Sequence, residues 1–459
     1  MSRWADAIAL AALASLSAGC AAIQKDAGFQ DVRSAVQQRS GFLAHWDQQP
    51  AGEVPVGERI RALLKDDLTE PSAVEIALLN NRRLQASFEE LGIAQADLLE
   101  GHLIRNPALE AELRFPRRPF ELILTQNILD LATLRRRRRL ADAAFEAAKL
   151  RVADEVMRLI ADVRASYYAL QGAEQMKAMR QTVVEAARAA AELAIRQHDA
   201  GNISDLALEN EQAVFEQAKI DLARSEGDVL AGRARLSELL GLWGPETEWK
   251  ITLALQNLPP AETDLAGLES LAVSQRLDLG TARQQVEVAA RALPLAPSKE
   301  IGEFVAGAHL EREPEGLRTN GPAVELPLPL FKRGKAARLR AEALLRQAQH
   351  RYAALAVEVR TQVGMARDRM LLARSRAEYY RDVILPRRER IVAFSQQHYN
   401  FMLVGTFQLL MAKRDEITAR REYIEALTDY WIARSDLEHA VGGSLSSAAP
   451  HSVTGQPES

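Results

Sequence analysis

Cys20 is the only cysteine among the 459 residues, and it stands where a thiol can be acylated. It follows a 13-residue apolar run at residues 7–19 that closes on Ser17-Ala18-Gly19, with Arg3 as the only base in front. Small residues before a cysteine suit a signal peptidase cleft, so the pattern predicts a lipoprotein signal with Cys20 as the lipidated first residue of the mature chain. Ser17 stands where an aliphatic residue is usual, which leaves open an ordinary secretory signal with an incidental cysteine. A lone cysteine excludes an internal disulfide and any cysteine-based zinc or iron–sulfur site. The 8 histidines show no metal-ligand spacing, and no phosphate-cradling glycine loop or nucleophile elbow occurs. Neither catalysis, nor a cofactor, nor a bound metal is therefore expected.

The remaining reactive-looking feature is charge. Residues 135–139 are five consecutive arginines, and Lys332, Arg333, Lys335, Arg338 and Arg340 form a second cluster. Without interleaved aromatics, and with 58 bases against 62 acids (net charge −4), a nucleic-acid surface is not indicated. Contact of Arg135, Arg136, Arg137, Lys332 and Arg333 with lipid headgroups is the preferred reading over a solvated helix start.

The elements that carry these residues are mostly helical. Only 25 glycines and 18 prolines occur, 47% of residues are apolar, and no proline lies between Pro119 and Pro245. Val152, Val156, Leu159, Val163, Tyr167 and Leu170 recur at helical spacing. Residues 134–199 would thus form a rod on the order of 100 Å. A turn at 198–205, with Gly201 free to take positive φ and Ser204 or Asp205 able to cap, leads to a return helix ending near Gly241. The second half repeats the plan: a long helix from 332, a turn at 400–406 containing Gly405, and a return helix ending at Gly442. The order recurs at an offset near 200 residues, which predicts an internal duplication joined at 245–270. Trp243 and Trp249 flank this joint and are expected to pack it.

Before each long helix the period changes to two. Leu109, Ala111, Leu113 and Phe115 oppose Glu110, Glu112 and Arg114, and Phe120, Leu122 and Leu124 oppose Glu121, Ile123 and Thr125. Residues 304–311 and 323–330 alternate likewise, although Pro327 and Pro329 lack ladder donors. The two hairpins fit a membrane β-barrel with Leu109, Leu113, Leu122, Leu124, Leu326 and Leu328 toward lipid, or equally a half-buried soluble sheet. No stretch reaches the about 18 apolar residues that a membrane-spanning helix needs.

In this order the elements resemble the TolC-type outer-membrane efflux proteins. The likeness rests on Leu79-Asn80-Asn81-Arg82, Arg105-Asn106-Pro107, residues 326–331 with Gly334, Tyr399-Asn400 and the end Tyr430-Trp431 to Gly442-Gly443. The resemblance implies a homotrimer whose four strands per chain close a 12-stranded barrel, continued by an α-helical periplasmic tube. It also implies partners: a periplasmic adaptor, an inner-membrane pump and outer-membrane lipid. Ala21 after the cysteine favours the outer membrane. The boundaries follow: signal 1–19, anchored segment 20–67, repeats 68–244 and 271–443, joint 245–270, and a disordered tail 444–459.

The same resemblance places the entrance at the turns, around Gly201, Asp205, Met402, Gly405, Phe407, Gln408 and Met411. Drug-efflux members carry acidic residues after the second turn; by register from Tyr399 those positions are Gln408 and Met411, and the tip glycine is Met402. An apolar gate follows, or else these are core residues in a shifted register. A passive exit channel is the expected function, with a periplasmic coiled-coil adaptor or scaffold lipoprotein as the rival. Trp46 and residues 79–82 look closer to heavy-metal export ducts than to drug ducts.

Overall fold

The structure, a computed structural model, describes residues 26–47, 56–113, 115, 119–262, 265–297, 304–313, 315–326 and 334–445. Cys20, Leu328, Lys332, Arg333 and the tail from 446 lie outside the described residues. The elements run α1 (Phe29–Ser40), α2 (Val56–Leu63), α3 (Glu70–Asn80), α4 (Arg82–His102), β1 (Ala108–Leu113), β2 (Phe120–Asn127), α5 (Ile128–Asp199) and α6 (Asp205–Leu240). They continue with α7 (Leu268–Gln275), α8 (Leu277–Ala292), β3 (Val305–Arg312), β4 (Arg318–Glu325), α9 (Lys335–Tyr379), α10 (Leu385–Asn400) and α11 (Thr406–Val441). The order of two helices, hairpin, long helix and return helix thus occurs twice. No described helix is long and apolar enough to cross a membrane.

The chain divides into two compact units. The first holds Met1–Val32, Ser87–Ala153 and Leu277–Val357. It contains all four strands, in an antiparallel sheet of order β1-β2-β3-β4. Beside the sheet, Phe29 meets Phe88 edge to face at 5.1 Å, and Lys149 reaches Asp31 at 2.6 Å and Glu146 at 2.8 Å.

The second unit holds Arg33–Ala86, Asp154–Arg276 and Glu358–Ser459. Its core contains much of the α5 seam: Val156, Val163 and Leu170 are fully buried and Tyr167 nearly so. Each return helix ends in a left-handed glycine, Gly241 (φ 68°) and Gly442 (φ 86°), because that backbone lets the last carbonyls find partners. Those carbonyls are tied down from the ends of α3 and α7. Asn80 Nδ2 donates to the Leu240 and Gly241 carbonyls, and Asn81 Nδ2 to that of Leu239. Arg276 donates to the Ala440 carbonyl. The Asn80-Asn81 pair is thus a lock between the end of α3 and the end of α6.

The joint is half of what its tryptophans suggest. Trp249 is buried beneath the Arg233 guanidinium, 4.7 Å from the ring, whereas Trp243 is 79% exposed. Joint packing instead rests on Trp431, whose Nε1 donates to the Gln256 carbonyl, and on Gln171, which donates to the carbonyls of Thr252 and Ala254. Glu262 accepts from Arg374, Tyr430 and Arg434. Burial and this carboxylate push the Tyr430 phenol up to about 12.

Three elements of the second unit meet at Arg164. Its guanidinium donates to Glu70 at 2.5 Å and Glu438 at 2.6 Å. Burial holds the Glu438 carboxyl above its ordinary range, opposed by the Arg164 and Arg434 guanidinium groups. Arg164→Met is expected to cost about 3 kcal/mol, since it strands two carboxylates, and adding Glu70→Gln and Glu438→Gln should restore most of the loss. Thermal melting of the single and triple variants reads this directly; equal loss in both would refute the charge account.

Candidate functional sites in the sheet and at the helix turns

The ladder register sorts the strand residues onto two faces. Leu109 lies opposite Leu124, Ala111 opposite Leu122 and Leu113 opposite Phe120; Leu122 and Leu124 then face Leu310 and Ala308. Ala306 continues the row to Val324. Over β1 and most of β2 this face is apolar and open, with Leu109 and Leu113 each 67% exposed and Leu124 48%, while along β3 and β4 Leu310 and Val324 (65% exposed) share it with Arg312, Arg318 and Asn320. The opposite face carries Glu110, Glu112, Glu121, Glu311 and Glu325. Glu112, Glu121 and Glu311 stand directly opposite one another across β1, β2 and β3. Like charges so placed repel, and His309 Nε2 sits 3.0 Å from Glu121 Oε1. Among the described residues no three His, Cys, Asp or Glu side chains are grouped to hold a metal ion.

The fourth strand departs from the period-two reading. β4 is Arg318–Glu325, and Leu326 follows the strand rather than belonging to it, with residues 327–330 outside the described residues. Polar Arg318, Thr319 and Asn320 pair with β3 through the backbone, which needs no side-chain alternation. Pro322, which lacks a backbone donor, lies on β4, an edge strand of this chain's sheet. Gly307 is a residue that sequence reasoning passed over: a Cβ there would overlap the Leu124 carbonyl oxygen of β2.

At the foot of the sheet, Asn127 Oδ1 accepts from the Asp130 backbone N–H as α5 begins. Arg137 turns inward, donating to the buried Asp130 carboxylate at 2.9 Å, and Arg138 donates to the His102 carbonyl. Arg137 is therefore a structural cation and not the headgroup contact expected of it; Arg135 and Arg136 are exposed.

At the far end of α5, Gly201 is left-handed (φ 73°) and Ser204 caps α6 by accepting from Ala207 N–H. Asp205 Oδ1 lies 2.7 Å from His198 Nε2, which ties the two helices across the turn. The second turn is different. Its left-handed residue is Met402 (φ 60°), while Gly405 is an extended N-cap at φ −79° that needs no glycine. Met402 is 93% exposed, Met411 43%, and Gln408 is exposed, so none of them belongs to the chain's own core and the shifted-register reading falls. The side chain of Phe407 lies outside the described residues.

Above this turn α9 passes through a π-helical segment, Tyr380–Ile384, into α10 with Pro386 in its first turn. Proline lacks the N–H that an α-helical ladder requires, and the wider turn absorbs the defect. Tyr380 Oη donates to Glu422 at 2.5 Å, and Arg388 pairs with Asp415 at 2.7 Å. Only Pro386 signals this in the sequence.

Residues 118–242, from just before β2 through the first return helix, match the family described as "Outer membrane efflux protein". Over that stretch the chain is similar to the outer membrane efflux proteins. It is 24% identical over 388 residues to the cobalt-zinc-cadmium resistance protein CzcC of Cupriavidus metallidurans, covering 82% of this chain and 90% of that one. A membrane protein from Pseudomonas aeruginosa superposes with a TM-score of 0.69 at 20% identity, over 87% of this chain and all but 1% of its own. The Campylobacter jejuni CmeC outer membrane channel gives 0.68 at 14% identity, over 89% and 91%. The fold is thus that of known outer-membrane channels, with a strand region and long helices.

Two substitutions separate backbone from side-chain demands in this chain. Gly307→Val should break the β2–β3 ladder and abolish assembly. Met402→Gly should stabilise the second turn by about 1 kcal/mol by removing a left-handed non-glycine residue. Yield of folded protein checks the first and a melting shift the second.

Proposed function

We propose that three copies of this chain form a passive outer-membrane channel, the exit duct of a tripartite efflux system with a periplasmic adaptor and an inner-membrane pump. The observation that carries the reading is the sheet: one face exposed and largely apolar, the other acidic, and two unpaired edges, β1 and β4. Open edges are not tolerated in hydrocarbon, and three four-stranded sheets joined edge to edge close a barrel with no edge left. The apolar face then meets lipid and the glutamates line water. The rival scaffold reading would leave the apolar face in water, at a cost that grows with its area.

The turns become the periplasmic entrance. With Gln408 and Met411 in place of carboxylates, closure there rests on apolar packing and dewetting around Met402 and Met411. Cys20 supplies a lipid anchor, for which two acyl signals suffice. The chain holds no groups for catalysis in this reading, and energy comes from the pump. For cargo, the named role of CzcC in cobalt, zinc and cadmium resistance and the glutamates on the water-lining face both favour divalent metal cations.

Purified protein in planar bilayers should give cation-preferring channels, and its removal from a host that depends on it should sensitise cells to zinc or cobalt. Leu124→Arg, on the lipid face, costs about 2 to 4 kcal/mol per subunit and should abolish heat-resistant trimers. Glu121→Gln on the other face should leave trimers intact and reduce cation preference. Identical behaviour of the two variants would mean that the faces are assigned the wrong way round or that no barrel forms.

A further inference from the structure

The five arginines at the start of α5 are sorted by the helix. At 100° per residue, Arg135, Arg139 and Arg136 fall within one arc of about 100°, while Arg137 and Arg138 lie outside it. The structure uses the second pair internally, on Asp130 and on the His102 carbonyl. The first three are exposed and have no carboxylate partner among the described residues. The two acids nearest in sequence are engaged elsewhere: Asp130 is buried and paired with Arg137, and Asp142 lies 2.9 Å from His102 Nε2.

This arrangement is unfavourable for the chain by itself. Like charges at i and i+4, such as Arg135 and Arg139, repel. An external anion lying against the arc removes this penalty. The place of the arc indicates which anion. β2 ends at Asn127 and α5 starts at Ile128, so Arg135 lies about 10 Å and Arg139 about 17 Å along the helix from the last strand residue. Helical side chains lean toward the N-terminus, here toward the sheet, and arginine stems extend so that the guanidinium reaches back along an apolar surface. The headgroup layer flanking a hydrocarbon core is about 5 to 8 Å thick, which brings these guanidinium groups to its phosphates. The sheet itself ends at Asn127, about two helical turns before the arc begins. In the second half Arg340, also exposed, follows β4 at the start of α9.

We propose that Arg135, Arg136 and Arg139 form a docking surface for the phosphates of anionic phospholipids in the periplasm-facing leaflet, which fixes the depth at which the sheet sits in the membrane. This rests on the reading of the sheet as a membrane wall. Guanidinium suits the task because it matches phosphate with two parallel donors and sheds its hydration more easily than an ammonium.

The test uses the full-length protein in nanodiscs of dioleoyl phosphatidylglycerol or dioleoyl phosphatidylcholine, with retained lipids counted by native mass spectrometry after transfer to detergent. The wild type should retain phosphatidylglycerol in preference to phosphatidylcholine. Each Arg→Gln change should weaken that preference about fivefold, and the triple variant R135Q/R136Q/R139Q by on the order of 100-fold. A control triple of exposed arginines further along the helices, R188Q/R196Q/R360Q, should leave it unchanged. The proposal is overturned if the wild type shows no preference, if the control loses it equally, or if 50 mM inorganic phosphate displaces the lipid, which would mark a free-anion site. Planar-bilayer conductance of the same wild-type sample separates the two readings. Conductance without lipid preference sinks the docking surface alone, and absence of both conductance and heat-resistant trimers sinks the channel.

Discussion

A β-sheet with unpaired edges cannot rest in hydrocarbon, and that constraint organises everything else in this chain. Four strands satisfy each other internally but leave the outer sides of β1 and β4 without partners. In the proposed channel closure comes from other copies, and closure by identical copies imposes a symmetry on every element that leaves the sheet. The long helices therefore carry two kinds of surface. Val156, Val163 and Leu170 are buried within the chain, whereas Leu339, Leu344 and Val357 on α9 remain open. In a trimer the second kind is available to a neighbour.

The second unit meets a different demand, which is to hold helix ends that would otherwise fray. Asn80 and Asn81 reach the last carbonyls of α6, and Arg276 those of α11, so each return helix is tied at its end to a short helix. Buried ions then fix where these helices pack. Arg164 serves Glu70 and Glu438, and Glu262 serves Arg374, Tyr430 and Arg434. Such groups add little net stability compared with apolar packing, but a shifted helix would leave charge unpaired in a low dielectric. Register is thereby enforced, which a long alanine-rich helix cannot do with side chains as small as its own.

Helices and both hairpins were legible because each obeys a single period over many residues. Leu109 and Leu124 belong to one face whether judged by alternation or by ladder, and the α5 seam is buried as its spacing implies. The failures share one cause, that the backbone was satisfied by something other than a periodic side-chain pattern. β4 pairs through polar residues and an edge proline. The left-handed position of the second turn falls on Met402 although Gly405 stands close by. Trp243, an apolar side chain beside a joint, faces solvent.

The amino-acid sequence by itself determined the class of structure: where helices must run, where the period changes to two, and that no helix can cross a membrane. Those properties follow from local propensity and from the spacing of apolar residues. Only the tertiary structure decided which members of a like-charged run are free. Arg135 and Arg137 are two residues apart and chemically identical, yet one is exposed and the other is bound to Asp130 seven residues back. Nothing local distinguishes them. The difference arises because α5 leaves the sheet at one rotation only, set by the Asn127–Asp130 bond and the ladder before it, and that rotation assigns each arginine its direction.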